Sequence, residues 1–143
     1  MDKQSITIKT TINLPVESVW RYFTEPEHIK NWNNASDDWH TTEAENDLQI
    51  GGKFRSRMEA KDGSFGFDFS GVYDDIKLHE KIAYTIEDGR KVVIIFKCEE
   101  ESTDITETFD AESENSLEMQ KAGWQAILVN FKKYVEEINQ RYK

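Results

Sequence analysis

Glu107 is the residue of this chain whose type and setting most invite chemistry. It shares strand parity with Ile105 and Phe109, so if those side chains point into a core, Glu107 points there too. A carboxylate in that position needs a partner or titrates at a raised pKa, because burial disfavours its charged form. Two bland outcomes stand beside a functional one. A local bulge turns Glu107 to solvent, or a structural arginine pairs with it; otherwise it is a polar contact for a bound molecule or an acid–base group. Gln120 belongs with it, since it lies one helical turn before Trp124 and falls toward the same side, and Gln125 flanks the same helix start.

Other chemistry is sparse. His28, His40 and His79 are far apart and in polar contexts. No His-x-x-x-His, paired-cysteine or acidic metal-loop spacing occurs, so no metal site is expected, and no cofactor. Gly51-Gly52 precedes a strand rather than a helix and makes no phosphate cradle. There is no Gly-x-Ser-x-Gly nucleophile turn. Asp37-Asp38 and Asp74-Asp75 read as solvated turn and strand edge rather than paired acid–base carboxylates. Cys98, the single cysteine, sits in an apolar run and reads as a small buried hydrophobe.

The elements that must position these residues follow from periodicity. Ile6, Ile8 and Ile12 share one parity of a β-branched segment, which reads as a strand. Pro15 suits a helix start, and Val16, Val19, Trp20 and Phe23 recur as one helical face. Thr24-Glu25-Pro26-Glu27 has the form of a capping box for a second short helix burying Ile29 and Trp32. After a polar loop over 33–38, strands are expected from Trp39, over Phe54 to Ala60, Phe65 to Leu78, Lys81 to Ile86, Val92 to Phe96, and Thr103 to Phe109. Asp62-Gly63 and Asp88-Gly89 are hairpin turns, and Gly71 marks a bend or a close approach within its strand. Asn115-Ser116 caps a final helix from Leu117 to Gln140, striped by Trp124, Leu128, Phe131, Val135 and Ile138. Gly123 inside it is expected to mark close packing against the sheet, ahead of the alternative that it leaves room for a guest.

Composition bounds the partners. The chain has 143 residues and a formal net charge of −10, with 12% aromatic side chains spread from end to end. A single domain over residues 1–143 is expected, with enough apolar surface for a real core. Phosphate backbones and anionic membrane surfaces are repelled by such a charge, and Lys and Arg form no stripe, so neither nucleic acid nor membrane is an expected partner. Met1 to Gln4 begin no apolar signal core, and with one cysteine a reducing cytoplasm is the expected location.

Several groups of residues together carry a family resemblance. They are Val19-Trp20, Pro26-Glu27-His28-Ile29 leading to Trp32, Trp39, Gly51-Gly52-Lys53-Phe54, Gly66 to Tyr73, Thr106 to Glu112, and Gln120 to Leu128. With the order of elements, they resemble the START-like (SRPBCC) superfamily, in the branch named after the C-terminal domain of the activator of the heat-shock protein 90 ATPase. The resemblance covers nearly the whole chain. It implies an α+β helix-grip fold: an antiparallel sheet of about six to seven strands wrapped around a long C-terminal helix, with two short helices after the first strand. It also implies a cavity between sheet and helix, and no particular ligand.

The expected lining is Trp32, Trp39, Met58, Phe69, Tyr84, Phe96, Glu107, Gln120, Trp124 and Leu128. Three functions follow as expectations. The first is non-catalytic binding of a small hydrophobic or aromatic molecule. The second is a cochaperone-like module that binds the heat-shock protein 90 ATPase. The third is a polyketide cyclase-like enzyme with Glu107 as acid or base. A monomer or weak homodimer is expected.

Overall fold

The structure is a computed structural model that describes residues 4–34 and 36–141. Met1 to Lys3, part of the signal-segment reading, and Ala35 in the polar loop lie outside them.

In chain order the elements are β1 (Ser5–Ile12), α1 (Val16–Thr24), α2 (Pro26–Trp32), β2 (Trp39–Asn46), β3 (Lys53–Ala60), β4 (Gly66–Lys77), β5 (Lys81–Ile86), β6 (Lys91–Glu99), β7 (Ser102–Asp110) and α3 (Leu117–Arg141). The strands form one seven-stranded antiparallel sheet in the order β1-β7-β6-β5-β4-β3-β2. From β2 to β7 every neighbour in the sheet is also a neighbour in sequence, as short hairpins dictate. β1 closes on β7, with Ile8 opposite Glu107 and Ile6 opposite Phe109. This is the helix-grip arrangement that the element order implied.

Two turns rest on glycine. Gly63 and Gly89 have φ of +78° and +95°, a region that side chains with a Cβ seldom enter, and each closes a hairpin after an aspartate. Bulges between Thr41 and Glu43 and between Tyr73 and Asp75 bend β2 and β4.

The core lies on the concave face. Ile6, Ile8 and Ile12 of β1, Val92, Ile94 and Phe96 of β6, and Ile105 and Phe109 of β7 are buried together. Leu128, Phe131 and Val135 of α3 press onto them, at spacings of three and four that keep one helix face turned inward. Burying each such side chain contributes about 1.5–3 kcal/mol. Phe131 meets the rings of Phe23 and Trp32 with centroids 5.1 Å and 4.9 Å away, which ties α3 to both short helices. The Asn130 amide donates to the Trp32 carbonyl at 2.9 Å and adds a polar pin.

Three local expectations need correction. Thr24 does not cap α2: its hydroxyl donates back to the Trp20 carbonyl at 2.8 Å, and Glu25 occupies the cap position without a side-chain bond. Pro26 at the first helical position lacks an N–H, which lowers the demand for a cap. Cys98 is exposed rather than buried. It shares parity with Ile94 and Phe96, but it sits near the end of β6, where the strand outruns the core. The α3 cap is Ser116, whose Oγ accepts from the Met119 amide at 3.1 Å, while Asn115 bonds to Glu112.

Gly123 is the third correction: a Cβ there meets nothing within 4 Å outside its own helix, so no close packing demands glycine. Gly71 is the opposite case. A Cβ on it would lie 2.5 Å from the Thr85 carbonyl oxygen and 2.8 Å from the Phe54 ring. Gly123→Ala is therefore expected to raise stability by roughly 0.5–1 kcal/mol. Gly71→Ala is expected to lower it by roughly 1–3 kcal/mol. Urea midpoints of the two variants check the pair, and a loss at Gly123 would show that a neighbour packs on it after all.

Candidate functional site

The concave face is not filled everywhere. A cavity of about 320 Å³ lies between β3, β4 and β5 on one side and α1, α2 and α3 on the other. Register explains part of the space. Ser56 sits between Ala44 of β2 and Phe69 of β4, so two small side chains adjoin where the sheet curls. Rings form most of the wall: Phe23, Trp32, Phe54, Phe69, Tyr73, Tyr84 and Trp124, with Met58, Ile82 and Ile94 between them. Exposed Glu45 and Phe67 belong to the same wall and mark where it reaches solvent.

The rings are held by one another and by hydrogen bonds directed away from the hollow. Trp124 stacks on Phe109 at 4.0 Å and meets Phe69 edge-on at 6.1 Å. Phe54 leans across the site of Gly71 and meets Tyr84 at 4.7 Å. The Trp32 indole N–H donates to the Tyr22 carbonyl at 2.9 Å. The Tyr73 hydroxyl donates to Asn46, whose amide in turn donates to the Thr24 carbonyl at 2.6 Å.

Glu107 and Tyr84 are polar groups of the wall that lack such partners. Glu107 is 7% exposed and Tyr84 is 9% exposed, yet among the described residues neither the carboxyl nor the phenol makes a hydrogen bond or ion pair. No bulge turns Glu107 outward: it holds register between Ile8 and Ile94 and points inward with Ile105 and Phe109. No arginine pairs with it either, since Arg55 and Arg57 engage Glu45, Glu59 and Asp68, and Arg90 engages Asp88 at 2.8 Å. Burial alone pushes the Glu107 carboxyl up to about 8. Burial likewise raises the Tyr84 phenol, and the charge of Glu107 adds to that shift. At neutral pH the cavity therefore presents two protonated oxygens without partners.

Of the ten residues expected in the lining, Trp32, Met58, Phe69, Tyr84, Glu107 and Trp124 line this hollow, and the other four do not. Trp39 stacks instead against Phe65 and Phe67 at the tip of the β3–β4 hairpin. Phe96 fills the core against Trp20 and Phe23, and Leu128 is buried in the same core. Gln120 is consumed locally: its amide donates to the carbonyls of Glu112 and Asn115, and its oxygen accepts from the Glu112 N–H. Helical spacing placed Gln120 one turn from Trp124, but its bonds to the loop before α3 hold it there. The lining residues contributed by α1, Phe23 and Thr24, were not foreseen, and neither was Ile29 of α2. The helical stripe through Phe23 was visible, but not its depth over the sheet.

A second depression, open to solvent and about 610 Å³ in volume, lies among Arg21, Tyr22, His28, Asn31 and Tyr134. Here His28 Nδ1 and the Tyr134 hydroxyl are 2.7 Å apart. His28, Glu25 and Glu27 bring ligand-capable atoms within 4.8 Å of one another. They sit at the N-terminal end of a seven-residue helix, where the backbone dipole opposes a cation.

Comparison with known proteins now has a geometry to attach to. The family described as Activator of Hsp90 ATPase homolog 1-like protein matches residues 13–136. The chain belongs to this family. The AHSA1-like protein from Aeromonas hydrophila, solved by NMR, is 43% identical over 95% of this chain and 94% of its own, with a TM-score of 0.90. A protein from Cytophaga hutchinsonii, also solved in solution, is 49% identical over 95% and 94%, with a TM-score of 0.82. A crystal structure from Nitrosomonas europaea shares the fold at 19% identity, with a TM-score of 0.80 over 95% and 96%. No curated protein matches the sequence. Among the described residues no helix of this Hsp90-activator-like chain is long and apolar enough to cross a membrane.

The Glu107 environment sets a pH dependence. Its folded value near 8 stands above the ordinary 4.5, so the native state holds a proton that the unfolded chain releases. Stability linked to this group is complete below about pH 4.5 and is lost as pH rises toward about 8. Glu107→Gln removes that loss. At pH 7 the variant is expected to be more stable by roughly 3 kcal/mol, from about 1.4 kcal/mol per unit over about 2.5 units. The gap closes near pH 4.5. Urea unfolding at both pH values checks this, and equal gaps at the two would show that the carboxyl is not desolvated.

Proposed function

We propose that this protein holds a small apolar or aromatic molecule in the cavity between the sheet and α3, without converting it. One observation carries the reading: a ring-lined hollow of about 320 Å³ has on its wall the Glu107 carboxyl and the Tyr84 phenol, on buried residues, and neither makes a hydrogen bond among the described residues. Small-molecule sites combine an apolar wall with a few convergent polar groups, in volumes of roughly 300–1,000 Å³. Leaving a buried polar group unpaired costs about 1–3 kcal/mol, and a guest that bonds to it recovers that energy. Among the described residues the wall carries no histidine, cysteine or lysine beside Glu107, which supports binding over cyclase-like turnover.

Ser56→Leu tests this without touching Glu107. The added side chain enters existing space, so stability is expected to change by less than about 1.5 kcal/mol. Thermal shifts from fatty acids, flavonoids and fused-ring aromatics, present with the parent protein, are expected to vanish in the variant. A parent that responds to nothing in such a panel, together with a strong loss of stability in Ser56→Leu, would mean that the interior is solid.

A second reading, the cochaperone, has one observation in its favour. Trp39, Phe65 and Phe67 form an outward cluster with centroids 5.8–6.3 Å apart, and Phe65 is 63% exposed. Clustered exposed rings suit a protein partner. The ATPase rate of heat-shock protein 90 is expected to rise on adding the protein and to return toward baseline with Phe65→Asp. No change on addition removes this reading.

A further inference from the structure

The cavity wall joins two features that favour one class of guest. Aromatic rings, which carry π faces, form much of the wall: Phe54 and Tyr84 from the sheet, Trp32 and Trp124 from the helices. Such faces attract positive charge, most strongly where water is excluded. The second feature is the Glu107 carboxyl, buried and without a partner. Of the remaining charged groups on the wall, Glu45 is engaged by Arg55 at 3.3 Å and the guanidinium of Arg90 by Asp88 at 2.8 Å, which leaves Glu107 as the charged-type group there without an ionic partner among the described residues. A net charge of −10 raises the local concentration of cations around the whole molecule. An anionic guest would meet the opposite conditions on every count.

We propose that the cavity takes an organic cation, a quaternary or protonated amine on an apolar body, seated among the rings with its positive charge toward Glu107. This rests on the reading of the cavity as a small-molecule site and names the class of guest. The cation supplies the charge that Glu107 lacks in the empty protein. Binding therefore favours the ionised carboxyl and releases its proton to solvent, which makes affinity depend on pH. The titratable and charged groups that share the wall with Glu107 from other elements are Tyr84 of β5, Tyr73 of β4, Glu45 of β2 and Arg90 before β6. The helices present no ionisable side chain to the hollow. Both tyrosines are raised by burial and stay protonated through the working range, so Glu107 is the group that changes state.

The test uses benzyltrimethylammonium, whose charge is permanent, and neopentylbenzene, its neutral isostere, titrated by NMR into the intact protein at pH 6 and pH 9. With a carboxyl titrating near 8 and only its ionised form binding, the cation's Kd is expected to fall about a hundredfold between the two pH values. The isostere's Kd is expected to stay within about twofold, since no proton is coupled to it. In Glu107→Gln the cation is expected to bind weakly with no pH dependence while the isostere still binds, which shows that the cavity is intact. Glu107→Asp, which keeps the charge, is expected to keep the pH dependence. If the isostere binds and the cation does not, or binds equally at both pH values, the cation proposal is overturned and the small-molecule site stands. If neither binds at either pH, both are overturned.

Discussion

Ile8, Ile12, Val92, Ile94, Ile105 and Phe109 form a continuous apolar surface on the concave side of the sheet, and α3 is the only element long enough to cover it. That cover is the constraint on which the other arrangements depend. An antiparallel sheet can leave one face to water but not both. Leu128, Phe131 and Val135 make the seal over β1, β6 and β7. Once the helix is placed there, it lies far from β2 and β3, because the sheet order puts those strands at the other edge. The short helices α1 and α2 must bridge the remainder, and they do so with rings: Phe23 and Trp32 stack at 5.1 Å and reach Phe131. Rings are poor at filling corners. The residual hollow is what three helices of unequal length leave over a curled sheet.

The unpaired carboxyl makes sense only in that setting. In the sealed half of the core an isolated Glu107 would be costly, and an arginine or an amide would be the expected companion. Here its register neighbours Ile8 and Ile94 belong to the seal, while its side chain reaches the edge of the hollow. Remaining protonated is the low-energy solution without a guest, since burial disfavours charge. The protein thus keeps a carboxyl that titrates near 8 on the wall of the internal hollow. A buried group of that kind lowers stability wherever the unfolded chain can ionise it and the folded chain cannot.

Much of this was legible from residue spacing, for identifiable reasons. The parity of Ile6, Ile8 and Ile12 correctly predicted an inward face, because a strand's period of two leaves no freedom once one face is buried. The α3 stripe was equally plain, and Asp62-Gly63 and Asp88-Gly89 turned as their chemistry requires. The site was legible only in part. Parity put Glu107 inside, but whether an arginine met it depended on side chains far away in sequence. Phe96 and Leu128 are as apolar as Phe69 and Met58, and only the depth of each along the sheet separates core from cavity wall. Cys98 misled for the same reason: parity says which face, not how far the core extends along it. Gln120 shows the converse limit, since a polar side chain takes the nearest backbone partners, and the loop at Glu112 and Asn115 was closer than the hollow.

The position of the hollow within the sheet argues for specialisation of its two halves. On β1, β6 and β7 the inner positions are mostly isoleucine, valine and phenylalanine, which interdigitate with a helix at near-crystalline density. On β3 and β4 they are Phe54, Ser56, Met58, Phe69, Gly71 and Tyr73, alternating large rings with residues that have almost no side chain. Gly71 is obligatory there because Phe54 lies across it, and Phe54 can lie across it only if β4 gives up a Cβ. Tyr84 and Trp124 line the hollow beside that ring. A valine or leucine at position 56 would take up part of the space that Ser56 leaves. The small serine and the glycine thus leave room on β3 and β4 where branched side chains fill the interior of β1, β6 and β7.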